Sequence, residues 1–344
     1  MRSIPVRPST SGVRHKLLLL ATIGMPVLAV ATGTAPVWAA GSNAVANGRI
    51  AFVATEAGTA QVFTINPDGT GQTQVTHRPD GAGDQGLTWA PDGSSLLVVL
   101  SANRDIMYTM RPDGSGLRRI SPRCSGRCLG DDNPAFTRSG TRIAFERAFG
   151  PVTNDNAAAD GIFTMDADGT RVVQLTQKTR PTSTEDHAAT WSPDGRRLAF
   201  QRLNTIASPV GRSAIYVMSA SGTQLHRITP TSLDASNPRW SRDGTRILFN
   251  DAAEPADGKD ANIYTVRPDG TGLAKLTNYS GGSAQAFVDD WSPDGSKIVF
   301  HFQDSGVDDL YIMDADGSNS HPLTHLGPSA SPRHAAWGTS QATP

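Results

Sequence analysis

The sequence predicts an all-β protein built from six copies of one four-stranded unit. The first observation is a turn block, complete in the run from Asp290 to Gly295. Near-copies of this block begin at Trp89, Phe136, Trp191 and Trp240. The second observation is a turn glycine, such as Gly317, which an aliphatic residue and a hydroxyl follow at a fixed distance. Repeats of about 43 to 55 residues with four short strands each are typical of a β-propeller.

The turn block predicts a β-hairpin between the first and second strands of each blade. Pro293 presets φ at the first corner, and Gly295 takes the left-handed position. The side chains of Ser292 and Asp294 can bond the amides of the turn. An apolar group follows each turn glycine and starts the second strand. These groups begin at Leu96, Ile143, Leu198, Ile247 and Ile298, and Ile50 begins the same element without a leading turn.

A second fixed pattern marks the third and fourth strands. An aromatic residue precedes a second turn glycine in each copy, at Phe63, Tyr108, Phe163, Tyr216, Tyr264 and Tyr311. After that glycine come the pairs Val75-Thr76, Ile120-Ser121, Leu175-Thr176, Ile228-Thr229, Leu276-Thr277 and Leu323-Thr324. Because blades stack side by side, we expect these aromatics and the tryptophans to pack between them.

The order of the patterns predicts how the ring closes. The repeats begin with a second strand, from Arg49 to Val53, and end with a first strand, from His334 to Trp337. We therefore expect the C-terminal strand to complete the blade that the N-terminus begins, which leaves no unpaired inner edge. The predicted fold is a six-bladed β-propeller that spans residues 48–338, with a C-terminal tail at 339–344.

The N-terminus has the pattern of a secretory signal peptide. Basic residues precede an apolar run from Leu17 to Val30, and small residues flank Trp38. This pattern predicts cleavage after Ala39, so that residues 1–39 are removed and residues 40–47 form a short lead. A retained anchor is the alternative, but the run is short for a membrane span. We expect a secreted, periplasmic or envelope-associated protein without a membrane span after cleavage.

Composition limits the partners. The signal segment contains Arg2, Arg7, Arg14 and Lys16, so its removal shifts the net charge from −1 to about −5. A mildly acidic domain lacks the basic surface that nucleic-acid binding needs. We expect a monomer that contacts a protein, a peptide or a glycan and no nucleic acid.

Two cysteines, Cys124 and Cys128, are separated by three residues. In an exported protein, this spacing predicts a local disulfide that tightens a loop. A metal site is the alternative interpretation, although no histidine lies nearby in the sequence.

The repeat resembles that of the TolB-type, WD-like propeller family. The resemblance rests on the Trp-Ser-Pro-Asp-Gly blocks, the Ile/Leu-Tyr-x-Met strands, the Asp-x-Asp-Gly turns and the Leu-Thr pairs, and it covers about residues 48 to 338. It implies an envelope interaction module, as in TolB, or the propeller of a peptidase or a polysaccharide lyase. We expect neither the N-terminal α/β domain of TolB nor a hydrolase domain in this chain. No G-x-S-x-G elbow occurs, which excludes a serine nucleophile on that template.

Acidic residues recur just before the predicted first strands. Asp132, Asp186, Asp234 and Asp290 are the candidates, and we expect them at equivalent places around the mouth of the central channel. The mouth lies on the face of the longer loops, which is where binding sites usually occur. Gathered carboxylates favour a Ca²⁺ or other divalent cation, or a basic or polyhydroxyl ligand. In the alternative interpretation each carboxylate caps a local turn.

Histidines provide a second functional hypothesis. His187 and His334 precede first strands, and His301 follows a second strand, so all three are expected near the mouth. If they converge with carboxylates, the protein is a metal-assisted polysaccharide lyase or hydrolase. Otherwise the sequence predicts a non-catalytic binding module, with no certain cofactor, that uses the channel mouth and the long-loop face.

Overall fold

A computed structural model of the chain describes the propeller and most of its connections. The described ranges are 45–56, 58–78, 86–101, 104–123, 128–149, 161–176, 184–204, 213–251, 260–327 and 330–340. All of them belong to the unit formed by residues 40–344. The predicted signal peptide, Cys124 and most of the long loops lie outside these ranges.

The described chain forms six four-stranded antiparallel sheets, which we number as blades in chain order. Blade 1 contains β1 (Asn47–Glu56), β2 (Thr59–Ile65), β3 (Thr73–Gln74) and the C-terminal β24 (Arg333–Thr339). Blade 2 contains β4 (Leu87–Trp89), β5 (Leu96–Ser101), β6 (Asp105–Met110) and β7 (Arg118–Arg119). Blade 3 contains β8 (Cys128–Phe136), β9 (Arg142–Phe149), β10 (Gly161–Asp166) and β11 (Val173–Gln174).

The remaining blades repeat this order. Blade 4 contains β12 (Thr184–Trp191), β13 (Arg197–Asn204), β14 (Ser213–Ser219) and β15 (His226–Arg227). Blade 5 contains β16 (Ala235–Trp240), β17 (Ile247–Asp251), β18 (Ile263–Val266) and β19 (Ala274–Lys275). Blade 6 contains β20 (Gln285–Trp291), β21 (Lys297–Asp304), β22 (Val307–Asp314) and β23 (His321–Pro322). A 3₁₀ turn at Thr231–Leu233 is the only helical element within the described ranges.

The predicted closure of the ring is confirmed. Strand β24 pairs antiparallel with β1, with Ile50 opposite Trp337 and Ala51 opposite Ala336. The strand continues to Thr339, which is the first residue of the predicted tail. The amide of Ser340 then donates to the carbonyl of Ala46 at 2.9 Å. The two ends of the propeller are therefore joined by strand pairing within one blade.

The turn block adopts the predicted geometry. Gly295 has a φ of 76°, in the left-handed region. The Asp294 carboxylate accepts the amide of Ser296 at 2.9 Å and the hydroxyl of Ser292 at 2.6 Å. Burial of Asp294 raises its pKa, but these bonds and one from Asn47 together outweigh burial and hold the pKa below its ordinary value. Local turn chemistry thus explains why the same residues recur in this block from blade to blade.

The aliphatic-hydroxyl pairs bind the fourth strand to the third. In every blade the hydroxyl accepts an amide from the third-strand region of the same blade at 2.8–2.9 Å. The donor–acceptor pairs are Val62–Thr76, Met107–Ser121, Ile162–Thr176, Ile215–Thr229, Ile263–Thr277 and Leu310–Thr324. Each bond satisfies a buried amide that the short fourth strand cannot reach.

The core lies between neighbouring blades. The largest fully buried side chains are the second-strand phenylalanines Phe52, Phe145, Phe200, Phe249 and Phe300. Third-strand aromatics pack on them within the blade, as in Phe249–Tyr264 with 5.5 Å between ring centroids. The clusters also cross between blades, since Trp89 packs with Ala51 and Ala336. No helix within the described ranges is long and apolar enough to cross a membrane.

Candidate site at the central channel

The channel is lined by one residue from each blade, located directly before the aromatic that ends the first strand. These residues are Thr88, Ala135, Thr190, Arg239, Asp290 and Ala336, and we call them the inner ring. All six line one cavity of about 170 Å³. The ring therefore contains one acid and one base, on the neighbouring blades 6 and 5.

A backbone irregularity precedes the inner ring. Two residues before the inner-ring position, φ is positive in five of the six blades, at Gly86, Asn133, Ala188, Asn237 and His334. Strand pairing shifts register at this point in blades 3, 4 and 5. A bulge of this kind re-aims the following side chain. The bulge therefore explains why the inner-ring side chains face the channel.

Asp290 and Arg239 connect three blades as well as lining the channel. The Asp290 carboxylate accepts the amides of Trp291 at 2.8 Å and Trp337 at 3.0 Å. Arg239 donates from Nε to the carbonyl of Asp289 at 2.7 Å. Although the cavity leaves part of Asp290 accessible, the side chain lies deep in the protein. Burial raises its pKa to about 6, against the lowering effect of the amides and Arg239.

Asp186 forms an ion pair in which the carboxylate is buried and the arginine is partly buried. Its two carboxylate oxygens accept Nε and Nη2 of Arg202 at 2.6 and 2.9 Å. The same bidentate pair recurs in blade 3, between Asp131 and Arg147 at 2.6 and 3.0 Å. The blade 3 equivalent of Asp186 is thus Asp131, and both carboxylates are already fully engaged.

The four predicted aspartates do not occupy equivalent places, contrary to the expectation from sequence. Asp290 precedes the strand-ending aromatic directly, whereas Asp132 and Asp186 lie opposite Glu146 and Arg202 further back in their strands. Asp234 precedes its strand, has a φ of 50°, and accepts the amide of Ser213 at 2.6 Å. The number of residues between the aspartate and the aromatic differs from blade to blade, so the four aspartates occupy different positions along their strands.

His187 belongs to a cluster where blades 3 and 4 meet, next to Asn133 and Ala188 of the channel cavity. Its Nδ1 lies 2.7 Å from Oε1 of Glu146, and its Nε2 lies 3.5 Å from Oε2 of Glu185. Glu146 is buried and also accepts Nδ2 of Asn133 at 3.1 Å. Its second oxygen is 3.4 Å from the amide of Ala188 in the next blade. The cluster joins two blades and leaves about a quarter of the histidine side chain exposed.

The other histidines lie elsewhere. His301 contacts Asp289 at 3.2 Å and stacks on Phe287, with 4.8 Å between ring centroids. His334 lines the channel cavity. Among the described residues, no group of three histidine, cysteine or acidic side chains is placed to hold a metal. Cys128 is disulfide-bonded, and its predicted partner Cys124 lies outside the described ranges.

Of the residues that the sequence predicted, Asp290 and His334 line the channel cavity and His187 lies in the cluster beside it, whereas their neighbours Arg239 and Glu146 were not among the predicted residues. Arg239 could have been found by aligning the residue before each first-strand aromatic, where a single arginine replaces small residues. Glu146 had no comparable signal, because it comes from a second strand and meets His187 only after the blades pack. The site thus combines residues of the first strands, such as Arg239, with Glu146 of a second strand.

Comparison with known proteins agrees with this architecture. The model of the TolB β-propeller domain family matches residues 140–341. A TolB homolog from Chlorobium luteolum is 29% identical over 126 residues, which is 36% of this chain and only 25% of that protein. The chain thus spans much less than the full length of that relative.

Solved structures resemble the whole propeller. TolB from Acinetobacter baumannii superimposes with a TM-score of 0.62 at 21% identity, covering 84% of this chain and 66% of that one. An oligogalacturonate lyase from Vibrio parahaemolyticus gives a TM-score of 0.55 at 13% identity, covering 80% and 74%. At these identities the likeness concerns the fold alone.

Proposed function

Because the chain belongs to the TolB β-propeller domain family, we propose that it is an exported binding module of the cell envelope or extracellular space. It recognises a protein, peptide or glycan at the channel mouth and on the long-loop face. The observation that carries this proposal is the polar cluster of His187, Glu185 and Glu146, which lies where two blades meet and remains partly exposed.

The donor set of the site favours an organic ligand. Arg239 places a fixed positive charge beside Asp290, which opposes the binding of a bare cation there. A peptide or a sugar offers both donors and acceptors, and can bond the carboxylates, the arginine and the threonines of the inner ring together. Ca²⁺ binding by the predicted aspartates remains a separate prediction, measured by a melting scan with and without millimolar Ca²⁺.

The lyase alternative receives fold-level support from the solved lyase structure. His187, His301 and the channel-facing His334 have different surroundings, and the first two contact different carboxylates. We therefore place the binding module first. Activity toward oligogalacturonate, added with Mn²⁺ or Ca²⁺ and followed by the absorbance of the unsaturated product, would reverse that order.

The experiment that tests the proposal compares a variant altered near the channel mouth with a variant altered on an outer strand. The mature chain and its Glu185→Lys/Arg333→Glu variant are immobilised and exposed to envelope extract, and bound proteins and glycans are quantified. Both substitutions lie at the starts of first strands on the mouth side. We expect a reproducible partner whose recovery falls at least tenfold with the variant.

The matched control is Arg119→Gln, an exposed change on an outer strand. It should retain the partner at the level of the unaltered protein. A partner that is lost equally with both variants, or with neither, would show that the mouth does not carry recognition. Asp186 is avoided, since its loss would leave the partly buried Arg202 without its ion pair.

A further inference from the structure

The opposite face of the disc, which carries the short turns, contains a second concave surface. The cavity has a volume of about 500 Å³, and we call it the turn-face bowl. Its floor is formed by first-strand aromatics, namely Phe136, Trp191, Trp240, Trp291 and Trp337. Asp290 and Phe136 line both the bowl and the channel cavity.

The rim of the bowl follows a pattern that the turn chemistry does not require. The same corner of the first turn is occupied in blades 2 to 6 by Pro91, Arg138, Pro193, Arg242 and Pro293. Proline is the residue that this corner prefers. Two blades replace it with arginine, so that apolar and cationic side chains alternate around the rim.

The two rim arginines come close together. Arg138 reaches across blade 4 and donates from Nη1 to the carbonyl of Arg242 at 3.3 Å. Partial burial lowers the pKa of Arg242, and the charge of Arg138 lowers it further. Within the described ranges neither guanidinium forms an ion pair, whereas Arg147 and Arg202 do. The acid on the rim, Asp92, is bonded instead by Ser94.

The positive surface continues beyond the bowl. A neighbouring groove of about 640 Å³ shares Arg138 with the bowl and adds Arg111 and Arg118. Among the described residues neither of these forms a salt bridge, and Arg111 has only a longer-range charge interaction with Asp113. Four arginines that form no salt bridge within the described ranges therefore line one continuous surface, although the charge of Asp294 acts on Arg242 and that of Arg111 acts on Asp113. The net charge of the whole chain is negative.

We propose that the turn-face bowl and its groove bind an acidic peptide segment that carries an apolar side chain. Guanidinium groups bind carboxylates in a bidentate manner, so the rim and groove select Asp and Glu. The aromatic floor, framed by prolines, accepts an apolar anchor, which an anionic glycan lacks. The bowl shares Asp290 and Phe136 with the channel cavity, but the arginines that select the peptide do not line that cavity, so the proposal does not rest on the function proposed for the channel mouth.

A selection from a random dodecapeptide display library tests the proposal. The mature protein is the target, and synthetic copies of the selected peptides are then measured by fluorescence anisotropy. We expect sequences enriched in Asp and Glu beside Trp, Phe or Leu. Their affinity should fall at least tenfold with Arg138→Gln/Arg242→Gln and should weaken as salt increases.

Arg119→Gln is the matched control, because Arg119 is exposed on β7 next to Arg118 but does not line the groove. It should bind within twofold of the unaltered protein. Arg138→Lys/Arg242→Lys keeps the charge without the bidentate fork, and should fall between the two. Melting curves establish that each variant is folded. Selected peptides without acidic residues, equal binding by the glutamine variant, or tighter arginine-dependent binding of oligogalacturonate would each overturn the proposal.

Discussion

At the residue scale, Asp290 shows how position in the ring sets the chemistry of a carboxylate. Turn aspartates such as Asp113 accept bonds from a neighbouring serine, which lower their pKa. Asp290 also accepts two amides, yet it lies deep in the channel, and burial raises its pKa to about 6. Desolvation outweighs hydrogen bonding at this position.

The raised pKa gives a predicted pH dependence. Between an unfolded pKa of 3.8 and a folded pKa of about 6, the folded protein binds more protons than the unfolded chain. Stability from this group is therefore greatest below pH 4 and declines as pH rises to 6, by about 3 kcal/mol in total. Asp290→Asn should remove most of that decline, as measured by urea unfolding at pH 4.5 and 7.5.

The comparison uses the slope with pH, because asparagine alters the bonds to Trp291 and Trp337 at every pH. Asp113→Asn is the control, since its lowered pKa places its titration below the measured range. It should leave the slope unchanged. Equal slopes for the Asp290 variant and the parent would mean that this carboxylate titrates normally in the folded protein.

At the element scale, the second turn glycine explains how neighbouring blades fit together. A Cβ built on this glycine would lie 2.3–3.3 Å from the carbonyl oxygen of the aliphatic residue in the adjacent blade. The glycine–carbonyl pairs are Gly69–Leu323, Gly114–Val75, Gly169–Ile120, Gly222–Leu175, Gly270–Ile228 and Gly317–Leu276. The contact recurs at all six joints, including the one between the first and last blades.

A pair of glycine variants separates the two reasons why glycine is needed, namely the positive φ and the close approach of the adjacent blade. Gly222 has a φ of 80° and would place a Cβ 2.8 Å from the Leu175 carbonyl oxygen. Gly58 has a φ of 81° with nothing within 4 Å. Gly58→Ala should cost about 1 kcal/mol from backbone strain alone.

Gly222→Ala should cost at least about 2 kcal/mol more, because the two blades must separate to admit the methyl group. Chemical denaturation of both variants under the same conditions gives the difference. If the two substitutions destabilise the protein equally, the close approach between blades contributes nothing beyond the positive φ.

At the scale of the whole molecule, β24 holds the ring together through more than strand pairing. Asp289 accepts the amide of Ala335 at 3.0 Å, and Asp290 accepts that of Trp337 at 3.0 Å. Both acids come from blade 6, while β24 pairs with β1 in blade 1. The C-terminal strand therefore connects the last blade to the first.

Deletion of residues 333–344 should abolish cooperative unfolding or cause aggregation. It removes the inner strand of blade 1 and exposes an edge of β1. It also removes the amides of Ala335 and Trp337 that Asp289 and Asp290 of blade 6 accept. Calorimetry and size-exclusion chromatography measure these effects. Deletion of residues 341–344 alone is the control and should melt like the parent. A longer truncation that melts like the parent would contradict the closure.

The sequence by itself determined the fold, because the residues that form the turns and strands of each repeat interact with residues nearby in the same blade or at one joint. The Ser-Pro-Asp-Gly turn, the second turn glycine and the buried hydroxyl of Thr229 act within one blade or at one joint, and the repeat spacing gives the number of blades. The closure also followed, since the missing strand at one end is present at the other.

Only the tertiary structure decided the chemistry of the site. Asp186 and Asp290 look alike in sequence, yet one is neutralised by Arg202 and the other faces the channel beside Arg239. A bulge in the first strand determines which side chain faces inward, and an acid's partner comes from another strand. These relations arise when the strands pair and the blades pack, and the sequence pattern of a single repeat does not contain them.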